Sequence, residues 1–288
     1  MVETEPTNVD ELVERLAEHN YIIDRINATP IFLAMRLQKP LLIEGPPGCG
    51  KTEIAKTVAK SFGFELIRLQ CYEGLDYSHA VYEWDYPRQL LEIKLQQEAQ
   101  SKSSDAVRQK IYSENFLLER PLLKSIRTHR RTVLLVDEID RADPEFEGFL
   151  LEFLSEFQVS IPELGTIKAE SIPYVFVTSN KTRDLSDAVK RRCLYLSLKY
   201  PSIQREVDIL KKRVKGVPDN LAVEASELVA RIRQDDELIR KPGTAETIDL
   251  VSSVMALGGS SLSPDILQKT AGAILKDESD LARFLSTL

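Results

Sequence analysis

No apolar run in the sequence approaches the ~20 residues needed to cross a bilayer; stretches such as Leu41 to Ile43 and Val133 to Val136 end after three or four residues. The beginning of the chain, Met1 to Asp10, carries acids where a secretory signal would carry basic residues and an apolar core, so the expected location is the cytoplasm. Cysteine is scarce as well. Cys49, Cys71 and Cys193 are odd in number and far apart, with no C-x-x-C pair, which suits reduced thiols better than a disulfide framework or a zinc site. His19, His79 and His129 are equally scattered. Positive charge is in deficit: a net charge of -7 argues against a polyanion-binding surface, so nucleic acid is not the expected partner. The rest, 43% hydrophobic and 29% charged over 288 residues, is ordinary globular usage.

Against these absences, the chain shows clear periodicities. Asn8 to Asn20 has Val9, Leu12, Val13 and Leu16 on one helical face, with Asn8 as the cap. Thr29-Pro30 reads as a second helix start, with an end near Lys39-Pro40. Five short apolar runs then alternate with helical stretches: Leu41 to Glu44, Phe64 to Leu69, Val133 to Asp137, Tyr174 to Thr178 and Leu194 to Leu198. This alternation predicts an α/β fold with a five-stranded, mostly parallel sheet. A long insertion around residues 71–131 interrupts it, with a polar stretch from Gln96 to Gln109 expected as exposed helix or loop. Phe157 to Pro162 and Thr166 to Glu170 flank Glu163-Leu164-Gly165 as a β-hairpin. Beyond Tyr200-Pro201 only helical patterns remain, so the expected division is an α/β nucleotide-binding domain over 1–200 and a small all-α domain over 201–288.

The most specific feature is Gly45-Pro46-Pro47-Gly48-Cys49-Gly50-Lys51-Thr52, which fits G-x-x-x-x-G-K-[ST] between a strand and a helix. At average glycine usage the fixed positions recur by chance on the order of once in a hundred chains of this length, so an incidental glycine turn is the weaker explanation. Glycines let backbone amides point inward at phosphate oxygens, and the following helix adds its positive dipole end. Lys51 is expected on the β and γ phosphates and Thr52 on Mg2+, with Glu53 following in the same helix start. Cys49 reads as a small loop residue.

Thr132 to Val136 delivers Asp137-Glu138 at a strand's C-terminal end, where open α/β sheets bind ligands. Asp137 is the candidate magnesium ligand and Glu138 the candidate base for the attacking water. Acids after strands are also common in solvated turns, and the phosphate loop upstream favours the catalytic reading. Asn180 ends the next buried run and is placed to orient that water. A guanine-recognising Asn-Lys-x-Asp is not formed, because Asp184 comes one place late after Asn180-Lys181-Thr182-Arg183, so ATP is expected rather than GTP. Arg191 and Arg192, directly before Cys193, either reach a neighbouring subunit's nucleotide or form a basic helix end facing water.

Taken in order, the phosphate loop, Asp137-Glu138-Ile139-Asp140-Arg141-Ala142, Thr178-Ser179-Asn180 and Arg191-Arg192 resemble the MoxR family of AAA+ P-loop ATPases. Arg68 to Gly74 and Tyr82-Glu83-Trp84 look like the branch associated with aerobic carbon monoxide dehydrogenase maturation. The resemblance implies a five-stranded AAA+ core, a helical lid and a homo-oligomeric, commonly hexameric, ring. It also implies a chaperone role in assembling or activating a metalloenzyme, often with a von Willebrand A domain partner. Asn180 resembles the sensor 1 position, and Arg192, with Arg191 as its alternative, the arginine finger. Tyr21, Ile22 and Ile23 match the adenine pocket, and Lys241, in Lys241-Pro242-Gly243, stands where relatives carry a sensor 2 arginine. The alternatives are a nucleotide-dependent binding switch, which intact Glu138 disfavours, and a DNA-associated motor, which the acidic balance disfavours. The aromatics Tyr72, Tyr77, Tyr82, Trp84 and Tyr86 of the insertion fit either a partner surface or buried packing.

Overall fold

A computed structural model describes residues 5–98 and 104–287. The chain forms two compact units, one of residues 1–5, 29–43 and 58–196, the other of residues 6–28, 44–57 and 197–288. Among the described residues, the last strand ends at Ser197 and only helices follow it.

Among the described residues, nine strands occur in chain order: β1 (Leu41–Glu44), β2 (Glu65–Gln70), β3 (Tyr82–Trp84), β4 (Leu117–Glu119), β5 (Thr132–Asp137), β6 (Gln158–Ile161), β7 (Gly165–Lys168), β8 (Tyr174–Ser179) and β9 (Leu194–Ser197). All five strands expected from the apolar runs join one sheet in the order β2-β5-β8-β1-β9. β5 pairs in parallel with both β2 and β8. Every residue of β1, β5 and β8 is buried, whereas β2 and β9 at the two edges alternate with exposed positions. Strands covered on both faces need apolar residues at every position, and this is why the central runs read as continuous Val, Leu and Ile.

The first unit is filled by one cluster that includes Leu42, Leu134, Val136, Phe146, Phe153 and Val177. In the second, the helices Ile203–Arg213, Asp219–Arg233 and Thr244–Ala256 bury Leu210, Leu221, Val229, Leu250 and Val254 together. Among the described residues, no helix is long and apolar enough to cross a membrane.

Two expectations need correction. The second helix starts at Arg25, not at Thr29-Pro30, and Pro30 lies inside it. Asp24 provides the reason: its side chain accepts from the amide of Asn27 at 2.7 Å and its carbonyl from that of Ala28 at 2.9 Å, so the first turn is closed before the proline. The hairpin β6-β7 forms, but Gly165 pairs with Ile161 and the connection is Pro162-Glu163-Leu164. Gly165 takes φ +81, the left-handed conformation that a three-residue hairpin places on glycine.

Within the insertion, the helices Tyr86–Glu98 and Ser104–Ile111 flank residues 99–103 of the polar stretch, which lie outside the described residues. The strands β3 and β4 pair antiparallel across it. Their pairing joins segments more than thirty positions apart, and three-residue strands carry too little alternation to read in advance.

Candidate active site

In the second unit, the phosphate loop follows β1 and leads into the helix Lys51–Ser61. Gly48 and Gly50 take φ +73 and +97, so the loop turns through conformations that side-chain-bearing residues rarely adopt. A Cβ on Gly45 would lie 2.3 Å from the Leu198 carbonyl oxygen, which closes that position to any other residue. Lys51 is buried, and its ammonium donates to the carbonyls of Gly45 at 2.7 Å and Pro46 at 2.8 Å. This arrangement fits a polyphosphate: inward-turned backbone, a helix start and a buried cation. Thr52 is half-buried beside Lys51 in the first helical turn.

Around the loop, the Tyr21 hydroxyl lies 3.4 Å from the Gly50 carbonyl, and Ile22 is half-buried next to it. Burial, followed by nearby Cys49 and Glu53, pushes the Tyr21 phenol well above its ordinary range. Burial also raises the Cys49 thiol, against the pull of Lys51. The carboxylate of Glu53 pairs with Lys56 and with Arg213, each at 3.1 Å, so it ties the loop helix to Ile203–Arg213. Lys241 is paired with Asp236 at 2.8 Å. What meets the loop from that stretch is backbone: Thr244 donates to the Gly48 carbonyl at 3.0 Å, and a Cβ on Gly243 would lie 2.5 Å from the Gly48 α-carbon.

Behind Gly243 sits a buried charge network. Arg233 makes a two-pronged bond to Glu206, at 2.7 and 2.8 Å, and donates to the Pro242 carbonyl at 2.8 Å. Thr247 donates to Glu206 at 2.7 Å, and the Arg233 guanidinium lies 4.4 Å from the Tyr200 ring centre. Each donor and acceptor here has a partner, the condition for burying charge without a large penalty.

In the first unit, Asp137 and Glu138 lie at the C-terminal end of β5. Asp137 is 2% exposed, and its Oδ2 accepts from Arg68 Nη2 at 2.6 Å and Nε at 3.0 Å. Its Oδ1 accepts from Thr178 Oγ1 at 2.6 Å, while the same hydroxyl accepts from the Glu138 amide at 2.9 Å. Glu138 takes φ +56, a left-handed conformation costly for a residue with a side chain and a mark of functional sites. Its Oε1 accepts from Asn180 Nδ2 at 3.1 Å, and its Oε2 from Gln70 Nε2 at 3.2 Å and Arg141 Nε at 3.1 Å. The neighbouring strands β2, β5 and β8 thus each contribute to the carboxylate pair, as their parallel register requires.

Asp140 holds the turn after β8, accepting from the amides of Asn180 at 3.1 Å and Thr182 at 3.0 Å and from the Thr182 hydroxyl at 2.6 Å. Burial opposes its ionisation, yet these bonds outweigh it and hold the carboxyl below the usual range. Arg183 is occupied by Glu147 and the Ala142 carbonyl. Arg192 donates to the Ala188 carbonyl at 2.9 Å and to the Ser155 hydroxyl. Arg191 is exposed and bonds to no described residue.

Sequence reasoning gives no role to Arg68, Gln70, Thr178 or Asp140. Gln70 and Thr178 are readable only through register, since each lies at the end of a strand adjacent to β5. No group of three or more His, Cys, Asp or Glu side chains forms a metal cage among the described residues. Mg2+ is ordinarily held by one or two protein ligands together with phosphates and water, so its binding requires no such cage.

Residues 40–193, more than half of the chain, match the AAA domain, dynein-related subfamily. The chain is 26% identical over 229 residues to an outer mitochondrial transmembrane helix translocase of Danio rerio, covering 76% of this chain and 53% of that protein. It is 23% identical over 202 residues to replication factor C subunit 1 of Oryza sativa, covering 67% of this chain and 17% of that protein. The chain therefore spans about half the length of the first relative and about a sixth of the second. A solved structure of a Thermotoga maritima RuvB mutant shares the fold with a TM-score of 0.51 and 17% identity, over 93% of this chain and 72% of the other. The fold is the AAA+ P-loop fold, a family built for nucleotide hydrolysis, and the chain belongs to the dynein-related subfamily of AAA domains.

Proposed function

We propose that the chain is a magnesium-dependent ATPase that works in a ring to remodel or mature a client protein. The supporting observation is the grip on Glu138: a carboxylate in a strained left-handed position, oriented by Asn180, Gln70 and Arg141 beside buried Asp137. Such a base is pre-positioned to take a proton from water as it attacks. Lys51 and the loop amides bind the phosphates and offset the charge developing on them. Thr52 and Asp137 are the side chains that would hold Mg2+, which would supply further charge compensation at the phosphates. Asn180 keeps the base and the water in line. Arg191 has the free guanidinium of the Arg191-Arg192 pair and is the better candidate to reach the site of a neighbouring copy.

The finer reading is a MoxR-like maturation chaperone acting with a von Willebrand A domain partner on a metalloenzyme, in a hexameric ring. It rests on the motif order and on Arg68 to Gly74 and Tyr82-Glu83-Trp84. The deciding experiment for hydrolysis is steady-state ATP turnover of wild type and Glu138→Gln with parallel nucleotide-binding titrations. The expected result is a loss of turnover of about a hundredfold or more with affinity kept. Unchanged turnover in Glu138→Gln overturns the assignment of the base.

A further inference from the structure

The helix Asp187–Arg192, which carries the Arg191-Arg192 pair, is fastened at both ends to the helix Pro144–Glu156. At its start the Ser186 amide donates to Glu147 Oε2 at 2.8 Å, and at its end Arg192 donates to the Ser155 hydroxyl. Glu147 and Ser155 lie about two turns apart on one side of their helix. Leu150 and Leu154 between them are buried in the same cluster as Val189, the buried residue of the short helix.

Glu147 also reaches back toward Glu138. Its Oε1 accepts from Arg183, whose guanidinium donates to the Ala142 carbonyl from Nη2 at 2.7 Å and from Nε at 3.2 Å. Ala142 ends the turn Ile139–Arg141, which starts directly after Glu138. Glu147 is 3% exposed. Burial opposes its ionisation, yet the contacts with Ser186 and Arg183 outweigh it and hold the carboxyl below its usual range. Val189 already seats the short helix by apolar packing, and a buried ion pair adds little stability over apolar side chains of the same size. What the carboxylate adds is direction, because each of its oxygens is committed to a different segment.

Of the two arginines on the short helix, Arg192 is spent in the fastening, whereas Arg191 is exposed and bonds to no described residue. We propose that Glu147, acting through Ser186 and Arg183, is a positioning residue for Arg191. It locks the arginine-bearing helix to the turn that follows Glu138, so the guanidinium a copy lends to its neighbour keeps a fixed offset from that copy's own base. The proposal rests on the shared-site reading given above, in which Arg191 serves an adjoining copy.

The test sorts Glu147 variants by complementation between full-length copies, with a mixture of Glu138→Gln and Arg191→Ala as the control. Glu147→Ala removes both acceptors. Glu147→Gln keeps the size and the fold but offers one acceptor oxygen to two donors, so it carries the test if the alanine variant does not fold. The expected result for Glu147→Ala is kcat lower by about tenfold or more, as a displacement of about 1 Å in a catalytic group implies, with a smaller loss of the same kind in Glu147→Gln. ATP affinity is expected to stay within about twofold of wild type, because Glu147 and its partners lie outside the unit that carries the phosphate loop. Mixed with Glu138→Gln, either variant regains turnover, since one copy brings an intact base and the other a well-held Arg191. Mixed with Arg191→Ala, neither does. Unchanged kcat, recovery with Arg191→Ala, or no recovery with Glu138→Gln while the control mixture recovers strikes the proposal alone. A control mixture that stays inactive overturns the shared-site reading, and the proposal with it.

Discussion

Gly48 and Thr244 are joined backbone to backbone: the Thr244 amide donates to the Gly48 carbonyl at 3.0 Å, and Gly243 beside it touches the Gly48 α-carbon closely enough to leave no room for a methyl group. The phosphate loop is therefore braced by the start of the helix Thr244–Ala256.

Gly243 has φ −89, which any residue adopts, so replacing it tests the contact and not the backbone. Gly243→Ala would drive its Cβ to 2.5 Å from the Gly48 α-carbon, and backbone cannot yield as a side chain can. The expected outcome is nucleotide affinity reduced about tenfold or more, as overpacking costs of about 1–3 kcal/mol imply, read by titration with a fluorescent ATP analogue.

Removing one member of the Arg233-Glu206 pair strands a buried charge. Arg233→Met is expected to destabilise the protein by about 3–5 kcal/mol, measured by urea unfolding. Replacing both partners, Arg233→Met with Glu206→Leu, removes the stranded charge and is expected to recover much of that loss. A double variant as unstable as the single one would show that Pro242 and Tyr200 depend on the guanidinium itself.

A shared active site is tested by mixing inactive proteins. Glu138→Gln lacks the base and Arg191→Ala lacks the free guanidinium, so mixed rings contain sites in which both are intact. Partial recovery of ATP turnover is expected, because an arginine from a neighbour contributes about 10³-fold or more where one is used. If no ratio of the two restores turnover while Arg192→Ala does, the contributing residue is Arg192.

Burial pushes the thiols of Cys71 and Cys193 up to about 12, from an ordinary value of 9.0. A thiol whose folded pKa is raised favours the folded state while it is protonated, and that contribution is lost as pH rises from the unfolded value through the folded one. Stability is expected to fall between about pH 9 and about pH 12, and Cys71→Ala to flatten that decline, with urea midpoints at pH 8, 9.5 and 11 as the measurement.

How far the sequence announced these features follows from how local each one is. The five sheet strands and the phosphate loop are written in contiguous residues, and they are found where the apolar runs and glycines put them. The grip on Glu138 was only half legible: Asn180 stood out as a polar residue ending a buried strand, but Gln70 reaches Glu138 through the β2-β5 register, a relation between residues 68 positions apart. Lys241 enters through the resemblance, as the residue standing where relatives carry a sensor 2 arginine, whereas the stretch meets the loop through Gly243 and Thr244, residues without a charge to notice. Pro30 misled for a similar reason, because proline marks a helix start only when no earlier side chain, here Asp24, has closed the first turn.

The pairing of β3 with β4 has a practical side. Asp85 donates to the Phe116 carbonyl at 2.8 Å and Arg120 to the Val81 carbonyl at 3.0 Å, so the chain between them leaves and returns through one fastened gate. Among the described residues from Tyr86 to Asn115, none adds a strand to the five-stranded sheet. The gate is a natural graft point, where the excursion can be trimmed or exchanged for a reporter while β2 and β5 stay in register.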